Sequence, residues 1–402
     1  MGDLQMEKVE NKIIVWSIDD FNTLGLMREL GNSELDILFL IKGHAGFAAS
    51  SKYCKEYIDT GSIEEGYNYL LENYKDRASR PIIILAGDDI VTYVDQHREA
   101  LEDHFILPLT TQKGYIEKYI DKNTMTALAD EIGMLCPKSV FITKESDIKG
   151  VQYPCIIKPS HQKPGHYNEF KFKICKNAKA LKRTLRFVRP DSEFILQQYI
   201  PKELDLLVYG GRMWDDNTIF AGAFIRDRWA DSGSSSHGYF TENIPQCADT
   251  SKIIKFLERI DYHGLFSVEY GLLENKAYFF EINLRNDGTS HYFYQAGANI
   301  PLAYVYSSAG LDYSDIPTKV SGEQWFIDEL FDVENVILGK IKKKTWKKDM
   351  SEATVFKYYD KDDTVPYEMA KKGKTKQIVQ DIVLKRFRLY IVFILDKLGL
   401  RK

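Results

Sequence analysis

An α/β (α+β) fold in two or three packed units is predicted by three features of the chain. Apolar runs that end in glycine or acidic residues alternate with helix-patterned segments over the first hundred residues. Strand-rich sequence dominates the later part, and 402 residues exceed what one hydrophobic core ordinarily holds.

NKIIVWSIDD, residues 11 to 20, is a buried first strand ending in acidic turn residues. NTLGLMRELG, residues 22 to 31, has helical spacing and a glycine stop, LDILFLI is a second buried strand, and PIIILAGDD, residues 81 to 89, is a third. Alternation of this kind predicts a parallel sheet, so residues 1–112 form a Rossmann-like unit; with no GxGxxG in it, a dinucleotide role is unsupported. DKNTMTALADEIGMLCPKS, residues 121 to 139, opens on an acidic cap, runs as a helix to Gly133 and leaves through Pro137. YPCIIKPS, residues 153 to 160, is a short strand with Lys158 at its end; SHQKPGHYNEF is a polar loop and FKFKI a return strand. Strands follow at EFILQQYIP, ELDLLVYGG and TIFAGAFIRDRW, with one helix at SKIIKFLERI. FIRDRWADSGSSSHGYF, residues 224 to 240, is Ser/Gly-rich and expected to be a mobile loop, whose Arg226 and Arg228 could meet an acidic substrate or an acyl phosphate. His237, His263 and His291 lack metal-ligand spacing and read as structural, and of the three only His291, six residues after Arg285, is placed near the site.

The net charge of -4 gives no global basic field, so nucleic acid is not an expected partner. Cys54, Cys136, Cys155, Cys175 and Cys247 show no CxxC spacing and read as buried thiols of a reducing compartment, with the cytoplasm as default location. MGDLQMEKVENK has no apolar signal region, and Met at position six argues against myristoylation. Residues 371 to 402 hold ten Lys or Arg against two Asp, leaving about -12 on the remainder. The apolar LYIVFIL within this tail is too short to span a bilayer; the tail is either a terminal helix docked on the body or a basic amphipathic helix making peripheral contact with the inner face of the membrane.

YFFEINLRNDGTSHY, residues 278 to 292, carries the chemistry. Read as a strand, it sets Phe280, Ile282 and Leu284 on a core face and Glu281, Asn283 and Arg285 in a row on the other. Folding SVEYGLLENKAYFFEINLR about Asn275 places Glu269 opposite Glu281. Opposed like charges are destabilising unless a cation sits between them. Glu269, Glu281 and Asn283 offer the hard oxygen ligands that suit Mg2+ or Mn2+, and Arg285 reaches phosphates on the same face.

These residues resemble the ATP-grasp superfamily over roughly residues 12 to 310, in which two metal-binding acids precede an Asn and then an Arg at alternate positions. The resemblance implies a Rossmann-like pre-ATP-grasp unit (1–112), a lid subdomain (113–190) and a catalytic subdomain (191–312) that clasp ATP, and a C-terminal extension with the basic tail (313–402). It implies that Lys122 and Lys158 contact ATP phosphates, that Gln197, Gln198, Tyr199 and Ile200 form the adenine hinge, and that Asp205 meets the ribose. Arg285, with Arg226, would serve catalysis. The loop after Lys158 has a single glycine, Gly165, where many family members carry a glycine-rich flap. Within the superfamily the nearest likeness is to D-aspartate ligase-like carboxylate-amine ligases, carried by NTLGLMRELG, SKYCKEY, FILQQYIP, VEYGLLENKAYFFEINLR and AGANIPLAY. That likeness implies ATP and Mg2+ (or Mn2+) as cofactors and small-molecule carboxylate and amine substrates, such as an amino acid and a saccharide or peptidoglycan precursor; a homodimer is common in the superfamily. Alternatives from other classes are a carboxylate-thiol ligase or kinase on the same fold, and a nucleotide-binding, membrane-associated assembly protein without turnover.

Overall fold

The structure, a computed structural model, describes residues 7–159, 170, 172–189, 192–230, 233–373, 384, 387 and 391. The first unit contains β1 (Ile13–Ser17), α1 (Phe21–Gly31), β2 (Ile37–Lys42), β3 (Tyr57–Thr60), α2 (Ile63–Tyr74), β4 (Ile82–Leu85) and α3 (Asp88–Gln96). Its four strands pair in parallel in the order β3-β2-β1-β4. All five residues of β1 are buried, because helices and the neighbouring unit cover both faces of the sheet, which is why IIVWS shows no alternation. Asp20 starts α1 by accepting from the backbone N–H groups of Asn22 and Thr23. β3 was not among the strands expected from the sequence; YIDT has only one fully buried residue and pairs at the sheet edge.

α4 (Tyr115–Ile120) and α5 (Lys122–Glu131) lead onward, and Asp121 caps α5 through the N–H groups of Asn123 and Thr124, which sets Lys122 in the first turn. A small antiparallel sheet follows, made of β5 (Ser139–Thr143), β6 (Cys155–Pro159), β7 (Lys173–Cys175) and, after α6 (Ala178–Arg186), β8 (Glu193–Gln198), in the order β5-β8-β6-β7. β8 thus completes the small sheet, whereas the expected boundary at residue 190 assigned it to the next unit. Leu181 and Leu185 of α6 cover one face of the sheet, over Cys155, Ile157 and Leu196. The polar loop expected at residues 160 to 168, with Gly165, lies outside the described residues.

The large sheet contains β9 (Leu204–Arg212), β10 (Thr218–Trp229), β11 (Ser235–Thr241), then, after α7 (Thr250–Ile260), β12 (Gly264–Leu273) and β13 (Lys276–Asn283). α8 (Ser290–Gln295), α9 (Ile300–Ser308), β14 (Gln324–Ile327), α10 (Val333–Ile337), α11 (Lys343–Glu352) and β15 (Val355–Phe356) complete the described elements, and the sheet order is β13-β12-β9-β10-β11-β14-β15. The segment expected as a mobile loop is mostly a β10–β11 hairpin, in which Ser236 and His237 are buried. Its Ser/Gly content misled because small residues also permit close strand approach: a Cβ on Gly238 would lie 2.2 Å from the carbonyl oxygen of Ile225.

The parallel and large sheets share two cores. Ile14, Trp16 and Leu38 belong, with Leu70 of α2 and Val91 of α3, to one core that extends to Phe256 and Leu257 of α7 and to Val208 and Phe266 of the large sheet. Ile13, Val15 and Phe39 face α1, α8 and α9, with Tyr209, Phe224 and Phe240 beyond. Cys247 is exposed, contrary to the expectation that every thiol is buried, and all five cysteines are free.

The C-terminal segment straps these units together. Arg28 of α1 donates from Nε to Asp363 Oδ2 (3.0 Å), and from its two terminal nitrogens to the carbonyls of Tyr358 and Asp363, each at 2.9 Å. Asp363 also accepts from Ser51 Oγ (2.7 Å) and the Lys52 N–H (3.0 Å). Both side chains of the ion pair are 1% exposed. Removing one member strands a charge away from water, so Arg28→Met should lower unfolding stability by about 3–5 kcal/mol in a denaturant titration. A loss below about 1 kcal/mol would contradict this account of the strap.

Candidate active site

The carboxylate pair predicted from the sequence is present, and the chain reaches it by a different route. Glu274 and Asn275, with φ of 50° and 58°, form a two-residue turn that pairs Leu273 with Lys276 and Tyr270 with Phe279. Continued without interruption, that register would set Glu269 against Phe280. A β-bulge adds one residue, and Glu269 pairs with Glu281 and Ser267 with Asn283. The bulge also changes which side chains face the core: Ala277 and Phe279 are buried before it, Ile282 and Leu284 after it. Phe280 is therefore not the core residue expected; it is half-buried, with the Lys202 ammonium 5.6 Å from its ring centroid.

Each carboxylate has a protein cation. Arg226 donates to Glu269 at 2.9 Å, and Lys122, in the first turn of α5, donates to Glu281 at 3.0 Å. Burial raises the Glu269 carboxyl above its ordinary range; Arg226 opposes this, while Glu281 and Asp287 add to it. Burial works against the charge of Arg226 as well, but Glu269, Asp205 and Asp287 more than offset it and keep the guanidinium firmly protonated. The Nδ2 of Asn283 donates to Ser267 Oγ at 3.0 Å, which orients the amide carbonyl as an acceptor.

Arg285 pairs with Asp88 at the start of α3, joining the row to the first unit, and donates to the carbonyl of Asn286 at 3.0 Å. Asp287, the next alternate position after Arg285, was missed by sequence reasoning although it continues the period. It accepts from Ser267 Oγ (3.0 Å) through one oxygen and from Thr289 Oγ1 (2.7 Å) through the other.

From the small sheet, Lys158 donates to Gln197 at 3.2 Å, and Gln197 to Ser139 at 3.0 Å. Lys158, Gln197 and Ser139 share one face, since Gln197 pairs with both Ile156 and Ser139. Burial, helped by the nearby Lys122 and opposed by Glu281, lowers the Lys158 ammonium to about 8. Of the two expected lysines, Lys122 bonds to Glu281 and Lys158 lies near enough for both to affect its charge. Gln198 points to the opposite face, where it accepts from the Lys138 N–H at 3.4 Å. The Tyr199 N–H bonds to the carbonyl of Pro154 at 3.4 Å and Ile200 is buried, so the hinge segment is fixed against β6. Asp205 is buried, held by Lys202, and stands opposite Arg226 in the β9–β10 ladder.

Two expectations do not place residues at this cluster. Arg228 makes paired bonds to Asp332 at 2.8 and 2.7 Å and one to Asp349 at 2.9 Å, so it anchors the C-terminal segment. Its position two residues from Arg226 suggested one face, but the β10 ladder shifts register between them. His291 is fully buried against Gly25 of α1, where a Cβ would lie 2.7 Å from the histidine Cβ, and burial holds its imidazole well below its ordinary pKa. It packs α8 on α1.

No protein-family model matches the chain. Among curated proteins it is similar to a D-aspartate ligase from Enterococcus faecium (strain Aus0004), 24% identical over 259 residues, or 59% of this chain and 61% of that one. The match thus spans less than two thirds of that relative. Among solved structures it is similar to N5-carboxyaminoimidazole synthetase from Staphylococcus aureus complexed with ADP, with a TM-score of 0.61 at 15% identity, covering 79% of this chain and 81% of that one. L-amino acid ligase from Bacillus licheniformis matches with a TM-score of 0.59 at 11% identity, covering 78% of each. The chain has the ATP-grasp fold and resembles, in sequence and architecture, carboxylate-amine ligases built on it.

Proposed function

We propose that the protein is an ATP- and Mg2+-dependent carboxylate-amine ligase that joins an amino acid to an amine through an acyl phosphate, in cell-wall or surface-polysaccharide synthesis. The observation that carries the reading is the opposed pair Glu269 and Glu281, each bonded by a cation from a separate element, Arg226 of β10 and Lys122 of α5. The substrate class rests on the resemblance to a protein named D-aspartate ligase, and D-aspartate is the first carboxylate to test.

In this reading ATP lies between the small and large sheets, with Gln197, Tyr199 and Ile200 along the purine and Asp205 toward the ribose. Glu269, Glu281 and Asn283 would hold Mg2+, whose donor set of two carboxylates and an amide oxygen fits a hard cation. Bound there, the ion would neutralise phosphate oxygens. Arg226 and Lys122 now cover the two carboxylates, so the pair already draws positive charge. Lys158, bonded to a neutral amide rather than a carboxylate, has a charge left for a phosphate. Transfer of the terminal phosphoryl group to a carboxylate oxygen forms the acyl phosphate and ADP. The amine nitrogen then bonds to the acyl carbon, phosphate leaves with the C–O electron pair, and the nitrogen loses a proton. Arg285 would hold the developing phosphate charge with its planar donors.

Hydroxylamine traps an acyl phosphate as a hydroxamate, so the protein should release ADP and form hydroxamate with D-aspartate or another acid of an amino-acid pool. Glu281→Ala should reduce both by about 100-fold or more. ADP release without hydroxamate for every acid, or an unimpaired Glu281→Ala enzyme, would refute the ligase reading.

The position of Lys158 near 8 sets a pH dependence. Polyphosphate favours the charged lysine, so ADP binding should take up a proton above pH 8, and affinity should fall as pH rises through about 8, by at most about tenfold per unit. Calorimetry from pH 7 to 9 should show this in the wild type, with a flatter profile in Lys158→Gln. An equally steep fall in the variant would assign the titration to another group.

A further inference from the structure

A cavity of about 280 Å3 stands beside Arg285, apart from the faces assigned to ATP. Its walls include Asp20 and Phe21, after β1, and Gly87, after β4, with Arg285 and Asp287 on the catalytic side and Lys357 on the side of the C-terminal segment. β1 and β4 are neighbouring parallel strands whose partners diverge, and the crevice beyond their carboxyl ends is where open α/β sheets place ligands. The volume lies just below the range of about 300–1,000 Å3 that accommodates drug-sized ligands, so it suits a small organic acid.

Lys357 is the unusual member of this wall. The residue is 7% exposed, and its ammonium donates to Asp328 Oδ2 at 3.0 Å. The rings of Phe21, Phe331 and Tyr358 surround it, with centroids 4.6, 5.6 and 5.6 Å from Nζ. Aromatic faces attract a cation but supply no strong acceptor. An ammonium has three N–H bonds, and among the described residues Asp328 is the one side-chain acceptor that takes any of them. The acids on the cavity wall are engaged elsewhere: Asp20 caps α1, and both oxygens of Asp287 accept from Ser267 and Thr289. An anion entering the cavity would meet Lys357, bonded to Asp328, on one side and Arg285, bonded to Asp88, on the other, and would have to lie clear of the Asp20 and Asp287 carboxylates.

We infer that this cavity takes the carboxylate substrate, and that Lys357 binds a second, non-reacting anionic group of it while the reacting carboxylate lies toward Arg285. The inference rests on the ligase reading for which carboxylate reacts, and it makes the C-terminal segment a determinant of specificity: a residue 72 positions after Arg285 closes the pocket. A dianionic acid is then preferred over a monoanionic acid of similar length.

Calorimetry of the full chain in the presence of ADP, with succinate and with propionate as probes, tests this without turnover. Wild type should bind succinate about tenfold or more tightly than propionate, as a charge-assisted bond to the second carboxylate requires. Lys357→Gln, which retains a donor for Asp328, should remove the preference, and Lys357→Arg should retain it. Absent succinate binding, equal affinities in wild type, or a preference that survives Lys357→Gln would overturn the inference. If circular dichroism shows Lys357→Gln unfolded, the comparison in wild type and in Lys357→Arg decides. Hydroxamate formation reads the ligase activity separately, so the two ideas fail independently.

Discussion

Two carboxylates facing each other across a β-ladder are the constraint around which this molecule is arranged. Glu269 and Glu281 repel, and burial makes ionisation of Glu269 costlier, so the ladder needs positive charge on that face. Arg226 supplies it from β10 and Lys122 from α5. Lys158 approaches from the small sheet, and Arg285 turns to Asp88 of the first unit. Each neighbouring element therefore contributes one cation to the same row. In the proposed reading Glu269 and Glu281 would hold a divalent cation, which would leave Arg226 and Lys122 with charge for the phosphates of the nucleotide.

Most of this was legible in the sequence because it follows from period and punctuation. The runs IIVWS and IIIL, bounded by acids and glycine, are strands of a parallel sheet, and the alternation of Glu281 and Asn283 places those two on one face of β13, which ends before Arg285. Other features depended on register, which a single sequence does not specify. The pairing of Glu269 with Glu281 was inferred from symmetry about Asn275, yet it arises from a two-residue turn plus a bulge at Phe280, and the same bulge reverses the predicted orientation of Phe280. Composition misled at SGSSSHG, where small residues serve close strand packing rather than a loop. Arg228, Asp363 and Lys357 act through partners 29 to 335 positions away, and no local pattern announces such pairs. The polar loop at residues 160 to 168 and residues 374 to 402 of the tail lie outside the described residues, apart from 384, 387 and 391.

The segment after residue 313 does more than extend the chain. β14 continues the large sheet at β11, Asp332 and Asp349 hold Arg228, and Asp363 holds Arg28 of the first unit. This path crosses both units and carries Lys357 to the cavity between them. In the proposed reading, the row on β13 handles what every ATP-grasp ligase shares, and the strap handles what differs between substrates. Stability and specificity would then depend on the same few buried charges.

Electron paramagnetic resonance of Mn2+ titrated into the ADP-bound protein tests the central claim most directly, because it reads the carboxylate pair without a substrate. The account predicts tight Mn2+ binding in wild type that weakens by about tenfold or more in Glu269→Gln and in Glu281→Gln. Mn2+ affinity that is unchanged in both variants would contradict it, leaving the opposed carboxylates as structural partners of Arg226 and Lys122 alone.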